Sequence, residues 1–106
     1  MSQVVVVATL EARPDREAEV ERELRMLVPA THAEAGCILY ALHRSLDDPR
    51  MFVFVERWTS AEALDEHRRA AHLQRFGELA GDLLAGPPQV FVLEALPDGD
   101  LSRGAL

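Results

Sequence analysis

The stretch VFVERWTSAEALDEHRRAAH, residues 53–72, changes its period halfway along. Up to Trp58 it reads as a strand, and with Phe52 just upstream it puts Phe52, Phe54, Glu56 and Trp58 on one face, because successive residues point to opposite sides. Beyond Thr59 and Ser60, Leu64, His67 and Ala71 recur at i, i+3 and i+7, one stripe of a helix. Thr59-Ser60-Ala61-Glu62 predicts a capping box at the junction, a hydroxyl at the N-cap with a glutamate three residues on. A strand of core residues therefore ends in a carboxylate and the only tryptophan, and a histidine shares the inner stripe of the helix that follows.

Upstream, Cys37–Ser45 reads as a strand, and the turn residues Asp47-Asp48-Pro49 join it to Met51–Trp58 as a hairpin. The β-branched run Gln3–Glu11 predicts a first strand, stopped at Arg13-Pro14. From Asp15 the pattern is helical, with Ala18, Val20, Leu24, Leu27, Val28 and Thr31 on the buried side. Pro29 is expected to kink that helix, and Gly36 to sit just past its end. Downstream, a short helix runs to about Ala70, and a second through Leu73, Phe76, Ala80, Leu83 and Leu84. Gly86-Pro87-Pro88 stops it, Gln89–Leu96 is the last strand, and residues 97–106 form a flexible or partner-contacting tail after a domain spanning 1–96.

Strand, helix, strand, strand, helix pair, strand is the ferredoxin-like α+β order: a four-stranded antiparallel sheet with its helices on one face. Both parities of these strands are apolar, Val5 and Val7 as much as Val4 and Val6, Val53 and Val55 as much as Phe52 and Phe54. A sheet with one wet face alternates instead. The helices cover one face only, so a second copy packed sheet to sheet about a two-fold axis is expected on the other.

At 106 residues, 48% of them apolar, the chain has material for one core and not two. No apolar run approaches the ~20 residues of a membrane span. The N-terminus carries no basic leader and reads as a strand, so a cytoplasmic location is expected. The net charge of −7, with signs interleaved and no basic stripe, argues against nucleic acid or an anionic membrane as partner. All 11 basic residues are arginine. Without lysine there is no Schiff base, no covalently held pyridoxal phosphate and no Walker lysine. The single cysteine, Cys37, excludes an internal disulfide and reads as structural beside Gly36.

If the even-numbered face of the third strand lies under the helices, Glu56, Trp58 and His67 converge on one interior space. Tyr40 or His43 then faces them from the second strand, according to hairpin register. An apolar space with a few polar groups is how small-molecule sites look. Glu56 is the sharpest signal, since a carboxylate at a core position is costly unless paired or protonated; Arg44 and Arg57 are candidate partners. His32 suits the end of the first helix, and His72 suits the break between the later two. His67 and His72 are five apart and do not stack as i, i+4 ligands would, so no metal is expected.

Gly36-Cys37, Tyr40, Asp48-Pro49, Phe52, Glu56-x-Trp58, Ala63-Leu64, His67, His72 and Phe76, in that order, resemble the antibiotic biosynthesis monooxygenase domain over roughly residues 3–96. The resemblance implies a dimeric α+β barrel that oxidises a phenolic, quinol or anthrone-like molecule with O2 and no cofactor. The family also implies alternatives: an isomerase or lyase shuttling protons on a small carbonyl compound, or a dimer that binds small molecules without turning them over. The chain has no asparagine, and it carries His67 where the haem-degrading branch has tryptophan, so the resemblance implies a quinol-type member or one with a different reaction. On that reading His67 is the base and His72 or His43 a donor. Glu56 orients His67 or accepts from the substrate, and Trp58, Tyr40, Phe54 and Phe76 enclose a flat ring.

Overall fold

The computed structural model describes residues 2–106. Its elements are β1 (Val4–Glu11), α1 (Glu17–His32), β2 (Cys37–Arg44), β3 (Met51–Trp58), α2 (Ala61–Arg68), α3 (Ala71–Leu83) and β4 (Gln89–Leu93). The strands lie in the order β2-β3-β1-β4, every neighbouring pair antiparallel, which is the ferredoxin-like sheet that the element order predicts.

β3 alternates as its parity requires: Phe52, Phe54, Glu56 and Trp58 are buried, and the residues between them are half-buried. Val6, Ala8 and Leu10 of β1 share the buried face, against Val20, Leu24 and Leu27 of α1 and Phe76 and Leu83 of α3. α1 continues through Pro29 to His32. Its end is capped at Ala33, so Gly36 lies in the following turn and not at the helix C-terminus.

The value of glycine at 36 is close approach. A Cβ there would collide with the Ala63 Cβ of α2 and stand 3.1 Å from the Thr59 hydroxyl oxygen, so the turn after α1 packs directly on α2. Gly36→Ala is expected to cost about 1–3 kcal/mol, the usual penalty for overpacking. Urea unfolding measures it, and an unchanged midpoint would mean that the turn and α2 do not touch in this way. At the start of α2 the N-cap is Ser60, whose hydroxyl accepts from the Ala63 N–H at 3.1 Å. The cap therefore lies one residue later than the capping-box reading put it, and Glu62 is not its reciprocal partner.

Between Cys37 and Leu39 the pairing of β2 with β3 slips by one residue. Such a bulge reverses which residues face which way. Cys37 opposite Trp58, and Tyr40 opposite Glu56, consequently share the helix side. His43 pairs with Val53 and falls on the other face, where it is exposed. The choice between Tyr40 and His43 goes to Tyr40, and His43 is removed from the interior.

Candidate functional site

A cavity of about 160 Å³ lies between sheet and helices. Its floor is Val6, Ala8, Phe54 and Glu56, its walls Tyr40, Leu27, Leu64, His67 and Phe76, and its open side faces Pro88 and Val90 at β4. The helix layer stops short of β4, leaving Val90 51% and Val92 50% exposed on that side. A larger cleft of about 420 Å³ lies outside, between α1 and β2, and is bordered by Glu21, Arg25 and Arg44. Those charges already pair, Glu21 with both Arg25 and Arg44, and the two guanidiniums hold the Glu21 carboxyl below its ordinary value, so the cleft presents a satisfied carboxylate and no free base.

Of the residues predicted from sequence, Tyr40, Phe54, Glu56, His67 and Phe76 line the inner cavity. Trp58 does not. It is fully buried at the end of β3, and its indole N–H donates to Glu56 Oε1 at 2.9 Å. The tryptophan is therefore the partner of the buried carboxylate and not a wall for a ligand. Arg44 and Arg57 are not that partner: Arg44 pairs with Glu21, and Arg57 pairs with Leu39 on the far side of the sheet. Glu56 also does not orient His67.

That task falls to Glu34, in the turn that Gly36 presses onto α2. Glu34 Oε2 lies 2.8 Å from His67 Nδ1 and 2.8 Å from His72 Nε2. The Thr31 hydroxyl is 3.3 Å from the same nitrogen of His72. A carboxylate oxygen only accepts, which assigns a proton to His67 Nδ1 and leaves Nε2 of the neutral ring as an acceptor. His67 Nε2 takes no hydrogen bond among the described residues. The ring is 4% exposed and packs against a tilted Trp58, centroids 4.5 Å apart, and edge-on to Tyr40, 5.4 Å. His72 reaches the cluster from outside, in the first turn of α3, and does not line the cavity. The five-residue spacing that argued against shared contacts does not apply, because α2 ends at Arg68 and a new helix starts at Ala71.

Burial sets the protonation of the site. It raises Glu56 from 4.5 to about 7, partly opposed by the Trp58 hydrogen bond and by Arg68 at the cavity edge, while Glu34 adds to it. Burial lowers His67 below its ordinary value, against the upward pull of Glu34. Tyr40 is raised by burial and by Glu56, so its phenol stays protonated and is a donor. One small apolar cavity thus holds a neutral imidazole, a carboxyl group that titrates near neutrality and a phenol.

Glu34 and Arg68 were not legible from pattern. Glu34 lies in a turn with no periodicity, and nothing in its neighbours marks it except the glycine two residues on, whose packing carries the turn to α2.

Comparison with known proteins adds an independent line. Residues 3–79 match the family model described as antibiotic biosynthesis monooxygenase. "Putative monooxygenase Rv0793" of Mycobacterium tuberculosis is 37% identical over 97 residues, 92% of this chain and 95% of that protein. Its solved structure superposes with a TM-score of 0.86 at 36% identity, covering 93% of this chain and 100% of that one. "Putative monooxygenase YcnE" of Bacillus subtilis is 30% identical over 87 residues, 82% of this chain and 92% of that protein. The crystal structure of PA3566 from Pseudomonas aeruginosa gives a TM-score of 0.86 at 34% identity, covering 91% and 96%.

Proposed function

Since the chain belongs to the antibiotic biosynthesis monooxygenase family, we propose that it oxidises a single-ring quinol or phenol with O2 in the cavity beside His67, without a cofactor. One observation carries this reading: an imidazole that lines the cavity has its Nδ1 held by Glu34 and its Nε2 free of any hydrogen bond among the described residues. A base oriented from behind by a carboxylate is a recurrent catalytic arrangement. Ring size follows from volume. Sites for drug-sized ligands span about 300–1,000 Å³, and the 160 Å³ found here suits one ring better than three fused ones.

His67 Nε2 takes a proton from the substrate hydroxyl. Moving it from a phenol at ~10 to an imidazole at ~6.5 is uphill by about 5 kcal/mol, and the lowered value of His67 adds to that. Donors at the developing oxyanion must offset it. The Tyr40 phenol and the protonated fraction of Glu56 supply them from neighbouring positions, Tyr40 being paired with Glu56 across β2 and β3. The electron-rich anion gives an electron to O2, and recombination forms a carbon–oxygen bond at the ring. His67 returns its proton to the peroxide anion. The O–O bond and the ring C–H bond at the same carbon then break, one oxygen stays as a carbonyl and the other leaves as water with the two hydrogens. Metal-free protein given a panel of quinols in an oxygen electrode is expected to consume O2 above the spontaneous rate. Uptake at the spontaneous rate across the panel would overturn the reading.

A second reading has its own observation: Glu56, raised by burial, and His67, lowered by burial, border the same space, as a proton shuttle requires. Solvent deuterium entering a carbonyl substrate with no O2 uptake would favour an isomerase or lyase.

The working unit on this proposal is a homodimer joined through the uncovered sheet face. That face carries Val7, Val53 and Val55 with Phe91 50% and Leu93 43% exposed. The buried Arg57 Nε beside them has no partner among the described residues, as expected of a donor awaiting an acceptor from a second copy. Phe91→Asp is expected to turn a dimer into a monomer in light scattering with the fold retained. A wild-type protein that is already monomeric would remove the dimer from the account.

A further inference from the structure

We propose that Glu34, His67 and His72 form a binding site for one divalent transition ion of the zinc class, and that its occupation switches off the base. Three donor atoms come from three elements: Glu34 Oε2 from the turn after α1, His67 Nδ1 from α2 and His72 Nε2 from α3. All lie within 4.8 Å of one another. A tetrahedral ion with ligands at about 2.0–2.2 Å needs donors roughly 3.3 Å apart. The carboxylate oxygen stands 2.8 Å from each nitrogen, so small rotations of the two rings make room for an ion between them.

Two histidines and one carboxylate are a neutral-nitrogen and hard-oxygen set suited to zinc, iron or cobalt and not to calcium or magnesium. The second Glu34 oxygen takes no hydrogen bond among the described residues, and the Thr31 hydroxyl beside His72 is placed to hold a coordinated water. His72 is 24% exposed at its side chain and Glu34 17%, which gives the ion a path in from solvent without passing through the cavity.

The consequence for His67 is a change of tautomer. Without the ion its proton sits on Nδ1, facing Glu34, and Nε2 is an acceptor toward the cavity. An ion on Nδ1 displaces that proton, and the neutral ring carries it on Nε2 instead. His72 likewise moves its proton to Nδ1, so each ring keeps one. A His67 that presents an N–H to the cavity cannot take a proton from a substrate. This inhibitory consequence rests on the proposed reaction; the binding site itself does not.

The test is calorimetric titration of the metal-free protein with Zn2+, beside the visible spectrum of the Co2+ form. One ion per chain is expected, with a tetrahedral cobalt spectrum, and Glu34→Gln and His72→Ala should each weaken binding by at least ~10–100-fold. No binding, or binding that both variants leave unchanged, would overturn the site while leaving the oxidase reading standing. The Co2+ spectrum of the wild type decides the matter even where a variant fails to fold, since an octahedral spectrum would overturn it too. Where quinol-dependent O2 uptake is present, Zn2+ at its binding concentration should suppress it and a chelator restore it. Uptake unaffected by bound zinc would overturn the tautomer switch.

Discussion

Replacing His67 with alanine is expected to lower quinol-dependent O2 uptake by about 10²–10⁴-fold, the usual contribution of a positioned general base. KM should change far less, because the substitution leaves Tyr40, Phe54 and Phe76 in place around the cavity. Glu34→Gln should fall nearly as far. Its side-chain amide can donate to His67 Nδ1, which leaves the imidazole proton on Nε2 and removes the acceptor. Residues that act as one unit are non-additive. The double variant is thus expected to be no slower than His67→Ala alone, and a loss equal to the product of the two single losses would show that Glu34 does not act through His67.

The second large effect concerns stability. Burial raises Glu56 from 4.5 to about 7 in the folded chain. Between those values the native state binds more protons than the unfolded state. Stability from this group is therefore complete below about pH 4.5 and lost as pH rises through about 7. A displacement of that size corresponds to about 3 kcal/mol. His67 works in the opposite sense, because its lowered value makes the native state gain stability as pH rises toward the ordinary 6.5. The difference between wild type and Glu56→Gln isolates the carboxyl group. The amide retains an oxygen for the Trp58 N–H and has nothing to titrate. Denaturant unfolding from pH 4.5 to 8 should show the variant gaining about 3 kcal/mol on the wild type, whereas parallel pH profiles would mean that Glu56 is ionised throughout.

How much of this was legible differs by element, for physical reasons. The period change at Thr59 and Ser60 placed β3 and α2 on sight, and β3 begins and ends where its alternation predicted. Parity was enough to bring Glu56, Phe54 and His67 to one interior. It gave the face but not the depth for Trp58. At the strand's end the indole turns back on its own neighbour two residues away, where it holds a carboxylate instead of walling a cavity. Tyr40 and His43 were exchanged or not by a single extra residue in β2, and a bulge leaves no mark in an apolar run. Glu34 escaped altogether, since what carries it to His67 is the contact of Gly36 with Ala63, a tertiary fact.

The proposed chemistry depends on which nitrogen of His67 carries the proton. A long-range proton–nitrogen correlation spectrum of the metal-free, ¹⁵N-labelled protein at pH 7.5 reads this without knowledge of the substrate. The Glu34 contact predicts a neutral ring with its proton on Nδ1 and an unprotonated Nε2 that shifts when a quinol analogue is added. A proton on Nε2, or a ring indifferent to the analogue, would contradict the central claim.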